Sequence, residues 1–163
     1  MSTSQPDPIL LDNTVLSNFA LVKQTDLVLL LWPDCTTTTD AWRECQAGVA
    51  LGYLPKETWT ALPRIKLNET EDKIAQQLVK ALGAGERTCI AVAKNRGCLL
   101  VTDDRKARLV ALEMGVKVTG TLGILIVAVE RKIIPINDAN HLLAQMIKYG
   151  YRSPIDNLSG LFS

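Results

Sequence analysis

Strands that alternate with helices along almost the whole chain predict an α/β fold, a three-layer α/β/α sandwich with a mostly parallel sheet. Three observations carry that prediction. Short apolar runs of strand length stop at polar or acidic residues, stretches of helical period follow them, and glycines close those stretches. A run that is apolar at every position suits a parallel strand, because helices cover both of its faces and neither needs polar side chains.

Residues 9–11 (ILL) form the first such run, stopped by Asp12. Val15, Leu16, Phe19, Ala20 and Val22 then recur at helical spacing. Residues 27–32 (LVLLLW), between Asp26 and Pro33, read as a second strand. The threonines at 36–39 read as a helix start, and a helix over about 40–50 follows, with Gly52 near its end. Pro55 and Pro63 interrupt residues 54–67, where a short helix near Lys56 and a strand near Ile65 are expected. Residues 69–82 place Ile74, Leu78, Val79 and Leu82 on one helical face, capped by Asn68 or Thr70. After Gly83 and Gly85, Glu86 opens another helix that stops at Gly97. Residues 98–102 (CLLVT) are the clearest buried strand, ended by Asp103 and Asp104. A helix over about 105–114, a strand at 116–119, a helix at 120–131, a connector at 133–136 and a helix at 137–149 complete the pattern. The tail beyond Gly150 is expected to be irregular.

The length of 163 residues suits one domain over 1–163, with its core at about 9–150. Lys plus Arg number 18 against 17 Asp plus Glu, so nucleic-acid binding by bulk charge alone is excluded, although a local basic patch is not. Aromatic residues at 5% leave little for a base-stacking platform. Cys35, Cys45, Cys89 and Cys98 lack zinc-type spacing, and Cys89 and Cys98 read as small buried hydrophobes. Residues 1–8 lack the charged-then-apolar order of a signal peptide, and no apolar run reaches membrane-spanning length. The expectation is a reduced, cytoplasmic protein that does not enter a membrane.

The acidic residues are the informative feature. Asp12, Asp103 and Asp104 stand at the carboxyl ends of two strands, and Glu86 at a helix start. Glu44 lies inside the helix after the threonine run. In open parallel sheets, sites form outside strand carboxyl ends where the strand order switches. If the strands before Asp12 and Asp103 are neighbours, their carboxylates converge and Glu86 can join them. Clustered carboxylates persist as anions only with a cation among them, and oxygen ligands without His or Cys point to Mg²⁺ or Mn²⁺. The plain alternatives stand at even weight: Asp12 or Asp104 as a helix cap, Glu86 as an acid at the helix dipole, Glu44 as a solvated residue. The Asp103–Asp104 doublet favours the cluster, since a single cap needs one Asp.

Four segments in this order resemble a PIN domain, and most of all its VapC-like ribonuclease branch. They are residues 11–19 (LDNTVLSNF), 83–91 (GAGERTCIA), 100–108 (LVTDDRKAR) and 115–125 (GVKVTGTLGIL). The resemblance covers about residues 9–150. It implies an acidic pocket that binds Mg²⁺ or Mn²⁺ and metal-dependent cleavage of RNA. Asp12 matches the family's first acidic position, Glu86 the later glutamate, and Asp104 the last acid of a Thr-x-Asp pattern that starts at Thr102. Glu44, followed by Gly48, matches the second acidic position more weakly.

The implied catalytic set is therefore Asp12, Glu86 and Asp104. The implied metal set adds Glu44 and Asp103, the latter ligating or orienting. Thr14 and Ser17 stand ready to hydrogen-bond a carboxylate or water, or else to cap and pack their helix. Arg105, Lys106 and Arg108 follow the doublet and are candidate contacts to substrate phosphates, with a solvated helix face as the alternative. Arg87 is similar. His141 reads as structural, and Trp32, Trp42 and Trp59 as core, with Trp42 alternatively lining a cleft or partner groove. The expected partners are an RNA substrate, a small antitoxin and a second copy of the chain, with 54–67 as a candidate contact region.

The competing readings are a catalytically idle binding module of the same fold and another Mg²⁺-dependent α/β protein. All the expected acidic types are present, which argues against the first. Against the second, Asp12 lacks the adjacent acid of a receiver domain, Thr14 replaces the second Asp of a haloacid-type phosphatase, and no Walker phosphate loop occurs.

Overall fold

Among the described residues, five short strands and eight helices alternate, and the strands form one parallel arrangement. The structure, a computed structural model, describes residues 6–56 and 58–162. The elements in order are β1 (Ile9–Leu11), α1 (Asn13–Leu21), α2 (Thr25–Leu31), β2 (Thr37–Thr38), α3 (Thr39–Ala50), β3 (Arg64–Ile65) and α4 (Glu69–Gln77). Then come α5 (Ala84–Arg96), β4 (Leu99–Val101), α6 (Arg105–Glu113), β5 (Val118–Thr119), α7 (Thr121–Glu130), α8 (Ile136–Lys148) and a 3₁₀ turn (Ser159–Leu161). The expectation for residues 1–8 falls in part on residues 1–5, which lie outside the described residues. Among the described residues no helix is long and apolar enough to cross a membrane.

The sheet pairs β1 with β4 and β4 with β5, all parallel, with Leu11 opposite Val101. β2 pairs with β3 and reaches β1 through a parallel bridge between Leu10 and Thr36. The strand order is therefore β3-β2-β1-β4-β5, and the order reverses between β1 and β4. That reversal opens a crevice beyond the carboxyl ends of these two strands, where Asp12 and Asp103 follow.

Period-two alternation sorts the strands' side chains into two cores, one on each face. Leu11 and Val101 join Val15, Phe19, Val28, Ile124 and Leu143 from α1, α2, α7 and α8. Leu10 and Leu100 join Ile90, Val92, Ala107 and Ala111 from α5 and α6. Two helical layers thus enclose the sheet, as the apolar runs predict. Each fully buried Leu, Ile or Phe contributes about 1.5–3 kcal/mol.

Three local expectations are corrected. Residues 27–32 are helical, as α2, and not a strand. The run is apolar all round, so no period distinguishes strand from helix, and its packing against α1 and α7 decides. The second strand is instead Thr37–Thr38, within the threonines read as a helix start. Thr38 does cap α3, its hydroxyl accepting from Ala41 N at 3.2 Å, while Thr37 donates to the Leu11 carbonyl at 2.6 Å. Finally, α4 stops at Gln77, where Leu78 turns extended, so Leu82 is buried in the second core and Gly83 precedes α5.

Residue 56 and residues 58–61 form turns where a short helix was expected; Glu57 lies outside the described residues. Leu54, Trp59 and Leu62 are buried in the first core, while Lys56, Thr60, Ala61, Pro63, Arg64 and Lys66 of the 54–67 segment are exposed. Trp59 is buried and donates to the Leu16 carbonyl at 2.8 Å. Trp32 and Trp42 are half-buried, the latter under the Arg64 guanidinium at 4.0 Å. The four cysteines are buried and free. Burial pushes the thiols up, Cys45 to about 12, so none is poised as a nucleophile.

Candidate active site

The crevice at the strand reversal is an open cleft of about 1180 Å³. α1 lines it with Asn13, Thr14, Ser17 and Asn18, and the approach to α5 with Ala81, Leu82, Gly83 and Glu86. Asp103, Asp104, Arg105 and Lys106 come from the end of β4 and the start of α6. Gly150, Tyr151, Arg152 and Pro154 come from the chain after α8.

Four carboxylates share one bonding pattern. Each commits one oxygen to a backbone N–H at or beside a helix start, where such donors lack helical partners. Asp12 Oδ1 accepts from Asn13 N at 2.7 Å. Glu44 Oε1 accepts from Gly85 N at 2.9 Å, and Glu86 Oε2 from Gly83 N at 2.8 Å. Asp104 Oδ1 accepts from Ala107 N at 2.8 Å and caps α6. Asp12 and Asp104 are therefore helix caps, the plain alternative for each, and each has a second oxygen that no backbone N–H occupies. Gly85 is needed for this packing: a Cβ there would lie 2.6 Å from Glu44 Oε2.

Electrostatics ties the four together. Asp12 is 1% exposed, and burial pushes its carboxyl up to about 7. Hydrogen bonds from Thr102 and Asn13 oppose that rise, and the charges of Glu86 and Glu44 add to it. Burial likewise raises Glu86, with Asp104 and Glu44 pushing the same way.

These residues offer oxygen donors only, which suits a hard cation. Among the described residues no three His, Cys, Asp or Glu side chains stand close enough to enclose an ion unaided. Asp12 is covered and does not line the open cleft, whereas Glu86 and Asp104 do.

Asp103 stands apart from the four. Its Oδ1 accepts from Thr121 N at 2.8 Å, and its Oδ2 from Asn18 Nδ2 at 2.8 Å and Thr121 Oγ1 at 2.5 Å. Both oxygens are occupied in tying β4 to α1 and α7. Gly120 permits this clamp, since a Cβ there would fall 2.5 Å from Asp103 Oδ1.

Thr14 turns inward: its hydroxyl accepts from Asp103 N at 2.9 Å and lies 3.4 Å from Asp12 Oδ2. Ser17 donates to Asn13 Oδ1 at 3.1 Å and not to a carboxylate. Arg105 and Lys106 are exposed on the cleft rim. Arg108 does not line the cleft; its guanidinium donates to the Thr102 carbonyl at 3.1 Å and braces the end of β4. Arg87 is also outside the cleft lining, and its Nε is buried without a partner. His141 is exposed on α8 and likewise outside it.

Five contributors have no role assigned in the sequence reading, although Thr102 is named there as the start of a Thr-x-Asp pattern. Thr102 is fully buried and donates to Asp12 Oδ2 at 2.7 Å, while its oxygen accepts from Asp104 N at 3.2 Å. It orients both acids, and its place before the doublet was the available signal. Asn18 and Thr121 hold Asp103 from distant parts of the chain, with no local signature. Arg152 and Tyr151 reach the cleft from a tail read as irregular. Burial raises the Tyr151 phenol, and the Asp103 charge adds to the rise.

No curated protein sequence matches the chain. Among solved structures it is similar to the crystal structure of PAE2754 from Pyrobaculum aerophilum, at 16% identity and a TM-score of 0.43, covering 67% of this chain and 97% of that one. The family model DUF3368, described as PIN domain, matches residues 8–161: the chain belongs to the PIN-domain family, whose members are generally nucleases.

Proposed function

We propose that this chain is a metal-dependent endoribonuclease of the VapC-like kind, hydrolysing RNA phosphodiester bonds with Mg²⁺ or Mn²⁺. One observation carries the reading. Asp12, Glu44, Glu86 and Asp104, from four separate stretches of sequence, meet at the strand reversal as mutually repelling carboxylates, each with one oxygen fixed by a backbone N–H. Gathering like charges around the buried Asp12 is unfavourable unless a cation completes the group.

Asp12 and Asp104 would hold the cation, with Glu44 and Glu86 beside them. When bound, it supplies Lewis-acid polarisation of a phosphate oxygen and a water of lowered pKa. Thr102 fixes the free edge of Asp12 and the backbone of Asp104, so both carboxylates are oriented before substrate arrives. Glu86, raised in pKa and open to the cleft, accepts a proton from the attacking water. Asp103 is a positioning residue that holds the end of β4 against α1 and α7. The products carry 5′-phosphate and 3′-hydroxyl ends. The proposal extends to a toxin role in the cytoplasm, restrained by a small antitoxin protein, and to a homodimer.

The test is cleavage of a labelled RNA by the purified protein in Mg²⁺, Mn²⁺ or EDTA, with Asp12→Ala and Asp104→Ala alongside. The expected outcome is cleavage in metal only, reduced about a thousandfold in both variants, the order lost when a group acting on the transition state is removed. A second reading, a catalytically idle RNA- or protein-binding module, is favoured by the covered position of Asp12. RNA binding without cleavage in any metal, and without metal binding by calorimetry, selects it.

A further inference from the structure

The chain after α8 builds a wall of the cleft. Tyr151 N donates to the Met146 carbonyl at 2.9 Å and ends the helix. Ile155 N donates to Ser153 Oγ at 3.3 Å and closes a turn. Leu158 then enters the first core with no exposed surface. Its N–H donates to Asn140 Oδ1 at 2.7 Å, and Asn140 Nδ2 donates to Ser159 Oγ at 3.0 Å. The segment is pinned at Tyr151 and at Leu158, and Arg152 stands between the two pins, exposed and lining the cleft.

Arg152 shares the cleft with Arg105 and Lys106. Among the described residues the ion pairs join Arg96 with Glu71 and Lys117 with Asp7, so none of these three cations is paired with the acids beside it. Arg105 and Lys106 also occupy the first turn of α6, which carries no acidic residue. Cations are disfavoured there, because a helix start is the positive end of its dipole. Local stability therefore does not account for them. An anion brought into the cleft would meet three unpaired cations and a helix start, with the carboxylates below. A strand of linked phosphates matches that layout, one phosphate at the acidic centre and its neighbours on the rim.

We propose that Arg152 is a substrate-positioning residue, presented by the pinned tail, which grips an RNA phosphate flanking the scissile one together with Arg105 and Lys106. The proposal rests on the nuclease reading above. Its guanidinium suits a phosphate because two parallel N–H donors match two phosphate oxygens, which an ammonium does not reproduce.

The experiment compares Arg152→Ala and Arg152→Lys with the wild type and with Lys73→Ala, an exposed cation on α4 outside the cleft. Binding of a labelled single-stranded RNA oligonucleotide is measured by anisotropy in EDTA over a range of salt, and cleavage in Mn²⁺ gives KM and kcat. Arg152→Ala is expected to weaken binding about tenfold, raise KM similarly and leave kcat within about twofold, with partial recovery in Arg152→Lys. The slope of log affinity against log salt should fall by about 0.7, the share of one single-strand phosphate contact. Lys73→Ala should change neither. A wild type that binds and cleaves RNA, with Arg152→Ala equal to it in affinity, slope and KM, overturns the assignment. So does an equal loss in Lys73→Ala, which would mean bulk charge. A wild type that neither binds nor cleaves overturns the nuclease reading itself.

Discussion

Two carboxyl groups in this molecule are both closed to solvent, Asp12 deep in the fold and Glu71 just beneath its surface, and they behave oppositely. Asp12 is 1% exposed and Glu71 0%. Burial drives Asp12 up to about 7, while the Arg96 hydrogen bonds draw Glu71 down to about 2 against a burial penalty, with Asn95 and Asn68 helping. The Arg96 fork meets Glu71 at 2.7 and 2.8 Å, Asn95 adds a bond at 2.9 Å, and Glu71 closes the capping box of α4. Glu71 is complete: its charge is balanced and its oxygens are filled from within the chain. Asp12 has hydroxyl and amide donors but is surrounded by other acids. Burial alone therefore says little about role; what separates a fastening from a working site is whether the protein itself supplies the opposite charge.

The strongest way to break this comparison is Asp12→Asn in metal-free buffer. The folded pKa of Asp12 lies above its unfolded value, so the folded state holds the proton more tightly and pays for ionisation as pH rises. The penalty is absent below about pH 4 and complete above about pH 7, and a rise from 3.8 to about 7 corresponds to about 4 kcal/mol. Urea unfolding should find Asp12→Asn equal to wild type near pH 4 and more stable by up to that amount at pH 8. A difference that does not vary with pH would mean that Asp12 is already balanced.

Next in size is Arg96→Ala, which removes the half-exposed cation from Glu71 but leaves its Asn95 and Asn68 donors, and should cost about 2 kcal/mol at pH 7. Here the sign reverses. The folded pKa of Glu71 lies below its unfolded value, so this stabilisation is present above about pH 4.5 and fades as pH falls towards about 2. The gap between wild type and variant should close in acid, while RNA cleavage by the folded variant persists. Thr102→Val, the smallest change, removes the hydroxyl that holds Asp12 and accepts from Asp104 N. Calorimetry should show Mn²⁺ binding weakened about tenfold with the fold retained. Unchanged affinity would place the ion elsewhere.

Much of this was readable in the residues, for identifiable reasons. β4 and α5 declare themselves because one is apolar at every position and the other lies between glycines that sit where a helix should start and stop. Asp12 and Asp104 were legible because strand ends are where a parallel sheet places its chemistry. α2 was not, because a run of six consecutive apolar residues has no period to read. Thr37 was not, because a buried hydroxyl bonded across to Leu11 looks locally like a helix cap. The work of Asp103 depends on Thr121 and Asn18, 18 and 85 positions away, and local pattern does not carry such partners. Leu158 shares its tail with Tyr151, Ile155, Leu161 and Phe162 at no regular period, and only the assembled core shows which of them it buries fully.

The β1–β4 pairing also fixes a sequence of events in time. The Glu71–Arg96 fastening closes a span of 25 residues, whereas the Thr102–Asp12 bond closes one of 90. Shorter loops lose less chain entropy on closing and form earlier. Loop length alone favours closing the fastening on α4 and α5 before the acids are brought together, and pulse-labelled hydrogen exchange should then find α4 and α5 protected before β1 and β4.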